Sequence, residues 1–144
     1  MLLKKFSMLA LTVMSAACGS DALYTIDGMH IHADAGLEGV PSKAELASYI
    51  GEFQERTGLK ALPTTLVFVR DINDCVTEGC DGKTALGAGY MRVEIKPCLA
   101  ATSLGHELVH FGFYKKGGLE ASDAGHISPL FDHIDYDLRD ELCE

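Results

Sequence analysis

In the run Ser103-Leu104-Gly105-His106-Glu107-Leu108-Val109-His110-Phe111, two histidines stand four residues apart with a glutamate directly after the first. Residues four apart on a helix share one face, about one turn from each other. Both imidazoles can then reach a single ion, and zinc takes histidine nitrogen at about 2.0–2.1 Å. The glutamate projects towards the open side of that ion, where a carboxylate can take a proton from bound water and pass it on. Leu104, Leu108, Val109 and Phe111 are apolar, as a helix with one buried face requires. Such a segment demands a sheet or helices to bury it. It also demands further chain to complete the metal shell, because a catalytic zinc takes three protein ligands plus water.

The third ligand has to come from elsewhere, and Gly117-Gly118 is a fitting stop for the helix. Beyond it lie Glu120, Asp123, His126 and His133. His126 is the first candidate: after a helix stop and a loop of about ten residues the chain can fold back, and Gly125 eases the close approach. Glu120, ten residues after His110, Asp123 and His133 are the alternatives. Asp123 could instead accept the outer N–H of a zinc histidine and set its tautomer. His133 and Tyr136 stand three apart on a final helix and could face a cleft. His30 and His32 alternate on an early strand, share a face, and could flank the same cleft.

The chain opens with a secretion leader. Lys4 and Lys5 give a positive start, and residues 6–17 are apolar except for Ser7, Thr12 and Ser15. About a dozen residues are too few to span a bilayer. Ser15-Ala16-Ala17-Cys18 resembles a bacterial lipobox, with Ser15 where a larger apolar residue is usual. The resemblance implies cleavage after residue 17, lipid on Cys18, a short tether over residues 18–23 and a domain over 24–144. It implies the bacterial envelope, with Gly19 favouring the outer membrane. Ordinary cleavage into the periplasm or medium is the alternative.

Cysteine number fits this reading. Five is odd for an exported chain, but removing Cys18 leaves Cys75, Cys80, Cys98 and Cys143. Four cysteines allow three pairings. Cys75 and Cys80 share one Asp/Asn/Gly-rich loop and make the natural local pair, which leaves Cys98 for Cys143. No CxxC occurs to suggest a cysteine-held zinc. The formal charge of −9 becomes more negative once Lys4 and Lys5 are removed, so the surface repels nucleic acid and anionic headgroups. Membrane contact is expected only through the lipid, and the expected state is a monomer.

Periodicity outlines the elements. A first strand is predicted over residues 22–33. Pro41 and the capping box from Ser42 to Glu45 start a helix that buries Leu46, Ile50 and Phe53 and stops at Thr57-Gly58. Residues 64–70 read as a strand covered on both faces, and 71–83 as a polar loop. Residues 90–96 alternate as a half-wet strand, the expected sheet edge. The HELVH helix is predicted from about residue 99 to 116. Ser128-Pro129 caps a last helix with Leu130, Ile134, Leu138 and Leu142 in an i, i+4 ladder.

The element order around HELVH resembles a minimal zincin, an α+β domain in which a small mixed sheet packs on the active-site helix with two further helices. Lys116, six residues after His110, departs from the metzincin pattern. The segment His126-Ile127-Ser128-Pro129-Leu130-Phe131 is loosely similar to the third-ligand segment of SprT-like and WLM mini-zincins, where a histidine precedes the last helix and an aromatic follows. The resemblance implies one Zn2+ per chain on His106, His110 and His126. It implies a metallopeptidase with Glu107 as general base, a peptide or protein substrate, and an edge strand bordering the cleft. A zinc-binding or interaction module without turnover is the alternative.

Overall fold

The computed structural model describes residues 21–72, 81–123 and 125–143. The leader, Cys18 and the proposed Cys75–Cys80 bridge lie outside these described residues. The architecture is α+β: a five-stranded mixed sheet with three helices on one face. The strands are β1 (Tyr24–Ile26), β2 (Met29–Ala33), β3 (Thr65–Val69), β4 (Gly82–Ala85) and β5 (Tyr90–Glu94), in the order β1-β2-β3-β5-β4. The central β2, β3 and β5 run parallel, and both edges are antiparallel.

Two expectations about the strands need correction. The single strand over residues 22–33 is a hairpin, β1 and β2, turned at Asp27 (φ 47) and Gly28 (φ 85). Asp-Gly suits a two-residue turn with both residues left-handed. The strand over residues 90–96 is also not an edge. β5 lies between β3 and β4, and the edge on that side is β4, whose first two residues, Gly82 and Lys83, fall in the stretch expected to be loop. Gly82-Lys83-Thr84-Ala85 carries no apolar alternation, so it is a strand only because β5 offers its backbone as a partner.

Register aligns the helix-facing side chains into rows. Ile31 pairs with Leu66 and Leu66 with Met91, while Phe68 pairs with Val93. All five are fully buried. Helix α1 (Lys43–Thr57) starts with the expected reciprocal capping box, Ser42 to Glu45, and ends at Gly58 in left-handed conformation. It lays Leu46, Tyr49, Ile50 and Phe53 on these rows. At about 1.5–3 kcal/mol for each large apolar side chain, this burial dominates the fold.

Helix α2 (Leu104–Gly117) begins later than predicted, because residues 99–101 form a separate 3₁₀ turn. Leu104, Leu108, Val109 and Phe111 face the core. Gly105 lets two elements approach: a Cβ there would stand 2.4 Å from Ile134 Cγ2 and 2.5 Å from Tyr49 Oη. The last helix, α3, joins an α turn (Leu130–Asp132), a π segment (His133–Leu138) and an α turn (Arg139–Leu142). Phe131, Ile134 and Leu138 are buried, whereas Leu142 is 46% exposed. The wider π turn breaks the 3.6-residue phase, so the apolar ladder ends at Leu138. A Cys98–Cys143 disulfide ties the end of α3 to the turn before α2. Among the described residues, no helix is long and apolar enough to cross a membrane.

Candidate metal centre

The start of α2 is held by the two residues before it and by α1. Leu104 N–H donates to Thr102 Oγ1 at 3.3 Å, Glu107 N–H donates to the Ser103 carbonyl at 2.9 Å, and the Tyr49 phenol oxygen of α1 packs against Gly105. Burial pushes the Tyr49 phenol well above its ordinary range, with the Asp135 charge adding to it. Anchored in this way, α2 presents His106, Glu107 and His110 half-buried along one side.

The chain then returns over them. After the turn Leu119–Ser122, Asp123 (φ 56) and His126 (φ 54) take left-handed conformations, uncommon for residues with a side chain. The Asp123 carboxylate accepts the N–H groups of Ile127 at 3.0 Å and Ser128 at 2.7 Å. These bonds hold it below the usual carboxylate range. The same loop therefore fixes its own bend and aims His126 back at α2. His126 Nε2 comes to 3.2 Å from His106 Nε2 and 3.0 Å from His110 Nε2.

The outer nitrogens decide what those inner atoms can do. His110 Nδ1 lies 2.8 Å from the Ser122 carbonyl, which only accepts, so Nδ1 carries the proton and Nε2 a lone pair. His106 Nδ1 lies 2.9 Å from Asp135 Oδ2, which sets the same tautomer when the ring is neutral. Burial lowers the His106 imidazolium, but the Asp135 hydrogen bond and charge, with Glu107, outweigh it and leave the group raised. Burial dominates at His110 and lowers it, against the Ser122 bond.

This donor set fits a zinc ion. Two imidazoles turned with lone pairs towards a third nitrogen repel one another unless a cation or proton stands between them. Tetrahedral ligands at about 2.0–2.1 Å would themselves be separated by roughly 3.3 Å, close to the spacing found. Phe131 floors the cluster, with its ring centroid 4.9 Å from His106, 4.7 Å from His110 and 4.7 Å from His126. A cleft of about 500 Å³ opens over the three histidines and Glu107, with Asp135 and Arg139 also on its wall.

Of the residues singled out in sequence, the structure brings His106, Glu107, His110 and His126 together; the three histidines form the metal-capable group among the described residues. Glu120 lies exposed on the turn before the loop. Asp123 shapes that loop: its carbonyl accepts the His126 backbone N–H at 2.9 Å, and among the described residues its carboxylate bonds Ile127 and Ser128 rather than a histidine ring. His133 pairs with Asp137 at 2.8 Å, and Tyr136 is 56% exposed beneath the Arg139 guanidinium. His30 and His32 sit on β2, across the sheet from β4; His32 lines a separate depression with Tyr90.

Asp135 and Thr84 were missed, whereas Phe131 is the aromatic expected after His126. Asp135 had a local signal, a carboxylate four residues after an aromatic on the helix behind His126. Thr84, which donates to Glu107 Oε2 at 2.5 Å, had none. No family model matches the chain, nor does any curated protein or solved structure.

Proposed function

We propose that this chain is a zinc-dependent peptidase of minimal zincin type, carried in the bacterial envelope by a lipid on Cys18. The observation that carries the reading is the convergence of three imidazole Nε2 atoms beside the Glu107 carboxylate in an open cleft. His106, His110 and His126 would hold zinc, which when bound acidifies a water and polarises a carbonyl. Glu107 takes the proton from the attacking water and delivers it to the leaving amine. Asp135 and the Ser122 carbonyl keep the ligand rings oriented through their outer nitrogens. The antiparallel edge β4 borders Glu107, and an extended peptide can pair along it by strand addition. The leader and the Cys98–Cys143 bridge support an oxidising envelope location.

Metal analysis of the purified, disulfide-intact protein is expected to find about one zinc per chain, and His126→Ala to lose it. Glu107→Gln is expected to keep the metal while cleavage of a mixed peptide pool falls at least ~100-fold. Absence of zinc after loading would sink the reading. Zinc without cleavage in the wild-type protein would leave the binding module, and undiminished cleavage by Glu107→Gln would remove the assigned base.

A further inference from the structure

We infer that Thr84, on the edge strand, is a positioning residue for Glu107; the inference rests on the peptidase reading and deepens it. Register places Thr84 opposite Met91, at the end of the row that runs through Ile31, Leu66 and Met91. Those three are fully buried hydrophobes facing the helices. The row continues at the edge strand not with another hydrophobe but with a hydroxyl, and that hydroxyl donates to Glu107 Oε2 at 2.5 Å.

Gly82, two residues earlier on the same face of β4, completes the seat. A Cβ at Gly82 would stand 2.8 Å from Glu107 Cγ and 2.9 Å from Glu107 Oε1. The carboxylate is thus packed against one position of the strand and hydrogen-bonded by another. Among the described residues the Ser103 hydroxyl, buried in the same cluster, has no hydrogen-bond partner, and Thr84 is the side-chain hydroxyl that engages Glu107. The terminal torsion of a glutamate is broad and roughly two-fold, so nothing local sets the plane of the carboxylate. Thr84 sets it by occupying Oε2, which leaves Oε1 to take the proton from water. Strand addition of a peptide on β4 and alignment of the base are then carried by one element.

Thr84→Val keeps shape and strand preference and removes the donor. Small displacements of a catalytic group can cost about 100-fold. In the full disulfide-intact protein with zinc, Thr84→Val is therefore expected to lower kcat roughly 10- to 100-fold, leave KM within about twofold, and keep one zinc per chain, with Thr84→Ser restoring most of the rate. A readout free of zinc and substrate is the urea midpoint of the metal-free protein. There Thr84→Val is expected to lower the midpoint when residue 107 is glutamate and to have little effect in Glu107→Ala. An unchanged kcat, a raised KM with kcat kept, zinc loss, no rescue by serine, or equal midpoint shifts in both backgrounds would each overturn the inference. Failure of the peptidase reading shows separately, as a zinc-loaded wild-type protein that cleaves nothing.

Discussion

Asp135 is the residue on which the candidate centre leans most without belonging to it. Its carboxylate holds His106 Nδ1 from a helix that carries no ligand of its own. Loss of such an outer partner typically weakens metal binding 10- to 100-fold. Asp135→Asn is accordingly expected to weaken zinc binding by about that factor in competition with a chelator, while one zinc still binds at saturation. Asp135 also raises the His106 imidazolium, so in the metal-free protein the substitution should lower the His106 pKa seen by NMR titration. A histidine raised on folding adds stability below its unfolded pKa and loses it as pH climbs through the folded value. Asp135→Asn should therefore cost the metal-free protein more stability at pH 5 than at pH 8.

At the scale of elements, two helical glycines make opposite demands. Gly105 is where α1, α2 and α3 meet, and a methyl there would run into buried Tyr49 and Ile134. Overpacking costs about 1–3 kcal/mol, while replacing a helical glycine by alanine gains at most about 1 kcal/mol. Gly105→Ala is thus expected to be net destabilising by roughly 1–2 kcal/mol in urea unfolding. Gly51, exposed on α1, has none of the described residues within 4 Å of its would-be Cβ. Gly51→Ala should stabilise the protein by up to about 1 kcal/mol. If both substitutions shifted stability in the same direction, close packing at the Gly105 junction would not be the cause.

For the whole molecule, the disulfide joins the two segments between which the site is held. Cys98 precedes α2 with its histidines, and Cys143 follows α3 with Asp135 and the Phe131 floor. With the half-cystines 45 positions apart in sequence, loop-closure entropy alone puts the bridge at about 4 kcal/mol. Cys98→Ser with Cys143→Ser is expected to lower stability by about 2–4 kcal/mol, read from unfolding of the metal-free protein. Zinc affinity should fall with it, because a loosened α3 no longer holds Asp135 against His106. Retained affinity in the double serine variant would show that α3 packing alone suffices.

Local chemistry in the chain determined a good deal of this. The capping box at Ser42 and Glu45, the Gly58 stop, the apolar face of α2 and the four-residue histidine spacing are set by neighbours in sequence, and they appear as expected. The loop that returns His126 was legible for the same reason: a Gly-Gly stop, a short polar loop and a new cap leave the chain few other paths. The Asp27-Gly28 turn is equally local in origin. Tertiary structure alone decided the rest. Gly82 and Thr84 become an edge strand only by pairing with β5, and Thr84 meets Glu107 only because register carries the Met91 row to that edge. Asp135 reaches His106 across 29 residues, from a π segment whose phase no 3.6-residue pattern predicts. Local periodicity sets which face a side chain takes within its own element. What that face meets depends on register and helix packing, which are settled between distant segments only when the core closes.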